Sequence, residues 1–424
     1  MTYSALGGQA APAPRRATAW DVAGLASAAG LFLIYSQFWV FPLFGEQMSA
    51  SEGGLLRLLF LPAYGAAVMV AALSPRETLA AAARQPFLLV LMAIVAASTF
   101  WSISPDQTAR RIIAIGFTTL GGVAVAARWR WARLTEILAA CFALLAVLSL
   151  ATCVAVPSIG VMHELFPGAW RGLWPEKNAF GGIMTLGFVV LAAAGALNPV
   201  RARLWWAFAA LSVFLVLMST SKTSLVSLIV GMAALVFVAL ARRGPATRVV
   251  VIWMAVVGLV AVGGIALFAA DAVFELLGKD ATLTGRTKIW AAVWRQIQLR
   301  PWTGYGYGAV WDEAGPWGPL AWIIKQAGFR PQHAHNSWLE QWLGMGVFGL
   351  GAFALFYLQT LALAVVALFR GPGAFLAIPF LAVYSLETLT ESVAVTYHDF
   401  RWVLFVIVAV KLAWPDDEIP ERAL

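Results

Sequence analysis

The sequence predicts an all-α polytopic membrane protein, with about twelve transmembrane helices and one long loop on the outer, periplasmic side. Three observations predict it. Of 424 residues, 61% are hydrophobic and only 12% charged, about half the charged fraction of soluble domains. Many apolar runs reach the roughly 20 residues that cross a bilayer. Lipid offers no partner to a backbone amide, so each spanning segment must bond within itself as a helix. The ~10-residue alternating pattern of a membrane β-barrel does not occur. Several of the 20 tryptophans fall near the ends of apolar runs, as in interfacial aromatic belts.

Residues 1–20 are small, polar and Pro/Ala-rich, with Arg15 and Arg16 just before the first apolar run. They read as a disordered cytoplasmic tail and not as a cleaved signal peptide. Residues 21–269 read as a bundle of about nine transmembrane helices, at 22–44, 54–73, 86–101, 108–126, 134–156, 178–197, 204–219, 224–241 and 249–269. Cys141 and Cys153 lie in one predicted helix. Twelve residues at ~1.5 Å each hold them about 18 Å apart, too far for a disulfide, so both read as packing residues. Residues 270–335 form the long loop. Residues 336–414 return to the membrane as helices at 336–369, 374–394 and 401–414, the first long enough for its opening turns to lie outside lipid. Residues 415–424 are a short cytoplasmic tail. With both termini cytoplasmic, fifteen Lys and Arg fall on the cytoplasmic side and seven in the opposite short loops, the sense of the positive-inside rule.

Within the long loop, GRTKIWAAVWRQIQLRP sets Ile289, Trp290, Val293, Trp294 and Ile297 at helical spacing, and Pro301 ends the run. This predicts an amphipathic helix lying along the outer membrane surface. The GYGYG that follows lacks the strand–turn–helix context of a dinucleotide fingerprint and suits a flexible or close-packed backbone.

Basic residues on the outer side are the ones that demand a reason, and they fall in four places. RGLWPEKNAFGG brings Arg171 and Lys177 before a span. They are either interfacial anchors that snorkel or an anion contact, with Gly181 and Gly182 letting helices approach closely. MSTSKTSL puts Lys222 in a tight turn between two spans, at or just below the surface, where an unpaired, dry cation costs a few kcal/mol. It is either a hairpin-tip lysine or a substrate contact. LTGRTKIW brings Arg286, Lys288 and then Arg295, suited to lipid headgroups or to a substrate anion. RPQHAHNSWLEQW (330–342) holds His333 and His335, two of the four histidines, followed by Asn336.

A His-x-His pair is half a zinc site. With only His163 and His398 left elsewhere and no cysteine nearby, a structural zinc is not expected. Neutral imidazole is instead the side chain best suited to accept a proton near pH 7. Glu387 and Glu391, four apart on a late helix, share a face. They can orient a histidine or pair with an arginine, or simply mark the wet end of the span. YHDFR sets His398, Asp399 and Arg401 at the outer mouth of the last helix. No P-loop occurs, nor a carboxylate pair suited to a metal-bound sugar nucleotide.

EKNAFGG, STSKT, LTGRTKIW, RPWTGYGYGAVW and HAHNSWLEQWLGMGVFGL occur in that order, flanked by WSISPDQTARR and TES. Together, from about residue 100 to 395, they resemble the O-antigen ligase / exopolysaccharide polymerase (Wzy-type) superfamily. The GYGYGAVW form resembles its exopolysaccharide-production polymerase branch. The resemblance implies a GT-C-like fold in the bacterial inner membrane and a metal-independent, cofactor-free glycosyl transfer at the periplasmic face. The donor it implies is a glycan on undecaprenyl diphosphate. His335, immediately before Asn336, takes the place of the catalytic histidine, and Arg286 that of the loop arginine. Lys222 stands where arginine is common, keeping charge but losing the bidentate fork. Glu176 stands where histidine is common, which leaves Lys177 as the carry-over.

The candidate site is therefore His335 as base, with Lys222, Arg286, Arg171, Lys177, Arg401 and Lys288 as cations for the diphosphate and substrate. His333, Asn336, Glu391 and Glu387 support them, and no metal is expected. The expected activity is polymerisation of lipid-linked repeat units. A ligase acting on lipid A–core is the alternative, and a lipid-linked glycan transporter a third reading, for which ionised groups within the spans or repeat symmetry would be needed. The expected partners are a lipid-linked oligosaccharide donor, a glycan acceptor, membrane lipids and a chain-length regulator, with no nucleic acid.

Overall fold

The computed structural model describes residues 18–45, 50–268, 285–312 and 315–420. Among them the structure is helical, with one isolated bridge between Val161 and Trp170. The expected tail over 1–17, the start of the long loop (270–284) and residues 421–424 lie outside the described residues. Helices α1 (Ala19–Tyr35), α2 (Val40–Phe44), α3 (Ala50–Leu59), α4 (Leu61–Ala72), α5 (Pro75–Ala83) and α6 (Pro86–Ala97) precede two long helices, α7 (Pro105–Arg128) and α8 (Trp131–Ala155). After the short α9 (Pro157–Gly160) come α10 (Lys177–Leu197), α11 (Ala202–Met218), α12 (Lys222–Ala241) and α13 (Pro245–Phe268). Two loop helices, α14 (Arg286–Leu299) and α15 (Pro319–Ala327), lead to α16 (Ser337–Arg370), α17 (Ala374–Thr390) and α18 (Phe400–Ala413).

The protein is an all-α multi-pass membrane protein, and the described residues do not by themselves reach twelve full spans. Among the described residues seven are long and apolar enough to cross a bilayer, or eight if α5, α6 and the turn after them, bent by 91°, count as one. Each predicted span carries helix, and local chemistry shortens some of them. The 22–44 run breaks after Tyr35, where Gln37 takes a left-handed φ of 57°. Pro75 and Pro86 each begin a new helix, because proline suits a first turn and breaks a helix interior. The last helix, α18, is only 14 residues long, and Trp402 to Val410 are all buried to 1% exposure or less. A helix apolar on every side and wholly buried belongs to the protein interior.

The centre of the bundle is α10. Of its apolar window 83% is buried, against 28% for the segment containing α11. Its small residues explain this, since transmembrane helices approach closely where side chains are small. Gly181 lies against Ser219 and Ser224, and Gly195 against Trp206. Through these approaches α10 packs on α8, α11, α12 and α17.

The amphipathic helix predicted from Ile289, Val293 and Ile297 is present as α14, but its apolar face does not lie on a membrane surface. It packs into a small second core with Tyr305, Val310, Leu320, Ile323 and Ala327. The correction has a physical cause. Helix α15, which the Trp/Pro/Gly-rich sequence around it concealed, supplies the apolar surface that α14 needs.

This loop unit is bolted to α16 at a break. Gly346 has φ 66° and ψ −164° inside the long helix, so the carbonyls before it lose their helical partners. The GYGYG segment takes them over: the N–H of Tyr305 donates to Leu343 O (3.0 Å) and that of Gly306 to Gly344 O (2.8 Å), while Val347 N–H donates to Pro301 O (2.9 Å). Trp101 Nε1 donates to Thr303 O (2.6 Å), and Tyr307 N–H to Ser98 Oγ (3.1 Å). GYGYG is thus close-packed, with the WSIS segment on its other side.

At the opposite end of the bundle the chain after α18 is held down. Lys411, with no exposed side-chain surface, pairs with Asp416 at 2.5 Å, Arg130 donates to Ile419 O at 3.0 Å, and Ile419 is buried. The expected tail over 415–424 is therefore anchored through its described part.

A side chain at Gly346 would meet the Trp302 carbonyl, and its φ 66°, ψ −164° lies in a region essentially reserved for glycine, costing an L-residue roughly 1–3 kcal/mol. Gly346→Ala is expected to lower the melting temperature of the detergent-solubilised protein. An unchanged melting curve would show that the break in α16 is not required.

Candidate active site

Asn336 starts the site. Its backbone is extended, and its side-chain oxygen accepts from Trp338 N–H (3.0 Å) and Leu339 N–H (3.1 Å), capping α16. An N-cap satisfies amides that the helix leaves unpaired. His335, one residue earlier, is held at φ 50°.

Ser337 fastens this helix start to the end of α17. Its hydroxyl donates to Glu391 O (2.8 Å) and accepts from Val393 N–H (2.9 Å) and Ala394 N–H (3.2 Å). Half-buried Glu340, on the first turn of α16, accepts from Ala334 N–H (3.0 Å), from Ser392 Oγ (3.2 Å) and from Trp311 Nε1. Trp290 of α14 donates to Ala334 O (3.0 Å). The HAHN segment is therefore fixed from three directions.

What this fixation produces is a carboxylate shared by an imidazole and a guanidinium. Glu391 Oε2 lies 3.0 Å from His335 Nδ1, and Glu391 Oε1 accepts from Arg286 at 2.6 Å. Arg286 opens α14 directly after Gly285, whose φ is 87°. All three side chains keep part of their surface exposed, 31% for His335, 29% for Glu391 and 18% for Arg286. Burial alone would raise the Glu391 carboxyl. The hydrogen bond to His335 and the Arg286 charge outweigh it and hold the group below its ordinary value. An ionised Glu391 only accepts hydrogen bonds, so a neutral His335 donates from Nδ1 and leaves Nε2 as a free acceptor.

The His333 ring stands 4.0 Å from that of His335, and its Nδ1 accepts the His335 backbone N–H at 3.2 Å. Burial, then the neighbouring His335, pushes its pKa down to about 4. His333 is thus neutral at pH 7.

The other sequence-derived candidates divide. Lys177 and Lys222 begin α10 and α12 side by side. Lys177 Nζ reaches Thr220 Oγ1 at 3.5 Å and the Phe166 ring at 3.8 Å, and the two lysines repel each other. Little more than a turn along α10, Gly182 abuts the carboxylate of Glu387, itself a turn before Glu391. Both lysines therefore share the bundle end that carries His335. Glu387 is 8% exposed, and its Oε2 has no hydrogen-bond partner among the described residues. Arg401 holds Asp399 with two nitrogens, the closest contact 2.5 Å, and lies within electrostatic reach of Glu387 and Glu391.

Two candidates do not join. Arg171 braces its own loop, donating to Ile159 O (2.8 Å) and lying over Phe41. Lys288 stands on the exposed side of α14. Sequence reasoning also missed Glu340, Ser337 and Trp290, which position the histidine segment. The one available signal was Glu340 itself, an acidic residue in the first turn of a capped helix.

His333, His335 and Glu391 can each turn one ligand atom to within 4.8 Å of the others, and two histidines with a carboxylate are a familiar ligand set. Here the second carboxylate oxygen is held by the Arg286 cation at 2.6 Å. That positive charge opposes a metal ion at the same carboxylate and suits a hydrogen-bond relay.

Fold and site together define a multi-pass membrane protein with an imidazole–carboxylate–guanidinium relay and further cations gathered at one end of its bundle. Residues 206–354, about a third of the chain, match the family model described as O-Antigen ligase. The match contains Lys222, Arg286, His333 and His335 and stops short of Glu391. The exopolysaccharide production protein ExoQ of Rhizobium meliloti is 30% identical over 194 residues, which cover 42% of this chain and 43% of that protein. The aligned part thus spans less than half the length of that relative.

The two inner histidines give a pH signature. His333 and His398 both have pKa values pushed down from 6.5 to about 4, chiefly by burial. The unfolded chain therefore binds protons near pH 6.5 that the fold refuses until about 4. Stability is present above 6.5 and lost as the pH falls through that window. The melting temperature is expected to drop from pH 6.5 to 4, and less steeply in a His333→Gln/His398→Gln variant. Equal slopes in the two proteins would contradict the assignment.

Proposed function

We propose that this protein is a bacterial inner-membrane glycosyltransferase that polymerises lipid-linked repeat units at the periplasmic face, by a single inverting displacement and without a metal. The observation that carries the proposal is the Glu391 carboxylate shared between His335 and Arg286. Glu391 keeps the His335 Nδ1 proton in place, so Nε2 can take the proton of an attacking sugar hydroxyl. The hydroxyl oxygen forms a bond to the anomeric carbon of the donor, and the bond from that carbon to the diphosphate oxygen breaks. The diphosphate leaves on its lipid with the bonding electrons. Its charge is met by the remaining N–H groups of Arg286 and by Lys177 and Lys222. Placed cations of this kind stabilise developing charge without reorganising.

Undecaprenyl diphosphate as the lipid, and polymerisation as the reaction, draw support from the resemblance to the polymerase branch and from the exopolysaccharide production of the Rhizobium meliloti relative. The description of the matching family favours a second reading, transfer of a finished glycan to lipid A–core. Deleting the gene separates the two. Loss of long secreted polymer with intact lipopolysaccharide fits the polymerase, and truncated lipopolysaccharide fits the ligase.

With purified protein and a defined lipid-linked oligosaccharide, His335→Ala is expected to lower kcat roughly 10²–10⁴-fold, the usual worth of a general base. Glu391→Gln is expected to fall in the same range, since a glutamine can present the wrong hydrogen-bonding group to Nδ1. Polymer formation at the wild-type rate by His335→Ala would remove the histidine from the mechanism. Chelator should leave the wild-type rate unchanged, and a rate abolished by chelator and restored by a divalent cation would revive the His333–His335–Glu391 metal reading.

A further inference from the structure

A cavity of about 390 Å³ lies on the other side of His333. Its described lining includes His333 but not His335, Arg286 or Glu391. The volume falls in the range of small-ligand sites, roughly 300–1,000 Å³. Separate parts of the chain build it: Gln37, Leu56 and Phe60 near the N-terminus, Arg111 of α7, Tyr307 to Asp312, the first turns of α16, and Ser392 to His398.

The lining has two chemical characters. Phe60, Trp311 and Tyr397 line it with aromatic surface, while Gln332 brings an amide, and Gln37 and Thr396, whose donors already go to His398 O and Ser392 O, bring acceptor oxygens. Rings that cover C–H faces, with a few placed amide and hydroxyl groups, are what a sugar ring requires. The charges present are already engaged. Arg111 is bound to Asp312 and to the Gly308 carbonyl, and Glu340 is occupied by its three donors. His333 and His398 are neutral at pH 7. No uncompensated cation faces the cavity from its described lining.

We propose that this cavity seats an uncharged sugar ring of the acceptor glycan, a neighbour of the ring that presents its hydroxyl to His335. The proposal rests on the glycosyltransferase reading above. An anionic ring or a diphosphate would find no free positive partner here, so the donor's leaving group belongs with the cations. The His333 ring, on the cavity wall and 4.0 Å from His335, places the occupant next to the base.

The test uses the full-length protein in nanodiscs and saturation-transfer NMR with methyl glucoside, methyl galactoside and the methyl glycoside of glucuronic acid. The neutral glycosides are expected to receive saturation and the glucuronide not. Leu56→Trp, which fills the cavity from α3, is expected to remove the transfer, as is Gln332→Trp at its exposed rim should the first variant fail to fold. Transfer to the glucuronide as strong as to the neutral rings, no transfer to any glycoside, or transfer undisturbed in a folded filling variant would each overturn the site.

In a polymerisation assay with separately labelled substrates, the filling variant is expected to raise the acceptor KM roughly tenfold, a loss of one good contact, with the donor KM unchanged. The reverse pattern would assign the cavity to the donor glycan and overturn the acceptor claim. The NMR readout needs no turnover. Intact sugar binding in a protein that polymerises nothing would therefore strike at the proposed reaction, and lost binding with intact polymerisation at the cavity.

Discussion

Everything at the functional end of this bundle is organised by one carboxylate. Glu391 accepts from Arg286 at 2.6 Å and faces His335 Nδ1 at 3.0 Å, so a loop helix, the start of α16 and the end of α17 meet in a single side chain. The interaction is mutually reinforcing. The guanidinium and the imidazole keep Glu391 ionised against its own burial, and the ionised carboxylate sets the imidazole tautomer and stops the arginine from swinging free. Removing any member leaves the other two with a partly buried polar group and a missing partner, the costly outcome for a hydrogen-bonded network.

That carboxylate is useful only because the backbone around it is tied down by hydrogen bonds, and these come from irregular chain. Gly346 interrupts α16, and the carbonyls so released are bonded by the GYGYG backbone, which in turn leans on Ser98 and Trp101. Irregular backbone of this sort is tolerated at membrane depth only where protein surrounds it. The site is thus built on two helix ends and a turn segment that have each given up regular hydrogen bonds for one another.

Much of this was legible in the sequence and some was not. The apolar runs located the long helices of the bundle but passed over α5, which packs on α7. Glu387 and Glu391 were visible as one face of a late helix. What could not be read was distance across the fold. Arg286 and Glu391 are 105 positions apart, and no periodicity joins them. Nor could spacing tell Arg286, at the first turn of α14 and aimed inward, from Lys288 two residues on and exposed. Arg171 had the right composition around it, yet its guanidinium is consumed by the carbonyl of Ile159. The apolar face of α14 was read as meeting lipid because its true partner, α15, hides in a stretch rich in breakers.

The buried last helix has a bearing on biogenesis. Helix α18 shows lipid almost nothing, and its Lys411 is satisfied by Asp416 and the Trp414 carbonyl, which follow it in the chain. It is translated after α7, α16 and α17, the helices it fills the space between. Such a segment gains little from partitioning sideways into the bilayer as it emerges from the translocon. Its natural resting place is instead the slot between neighbours that precede it in the chain.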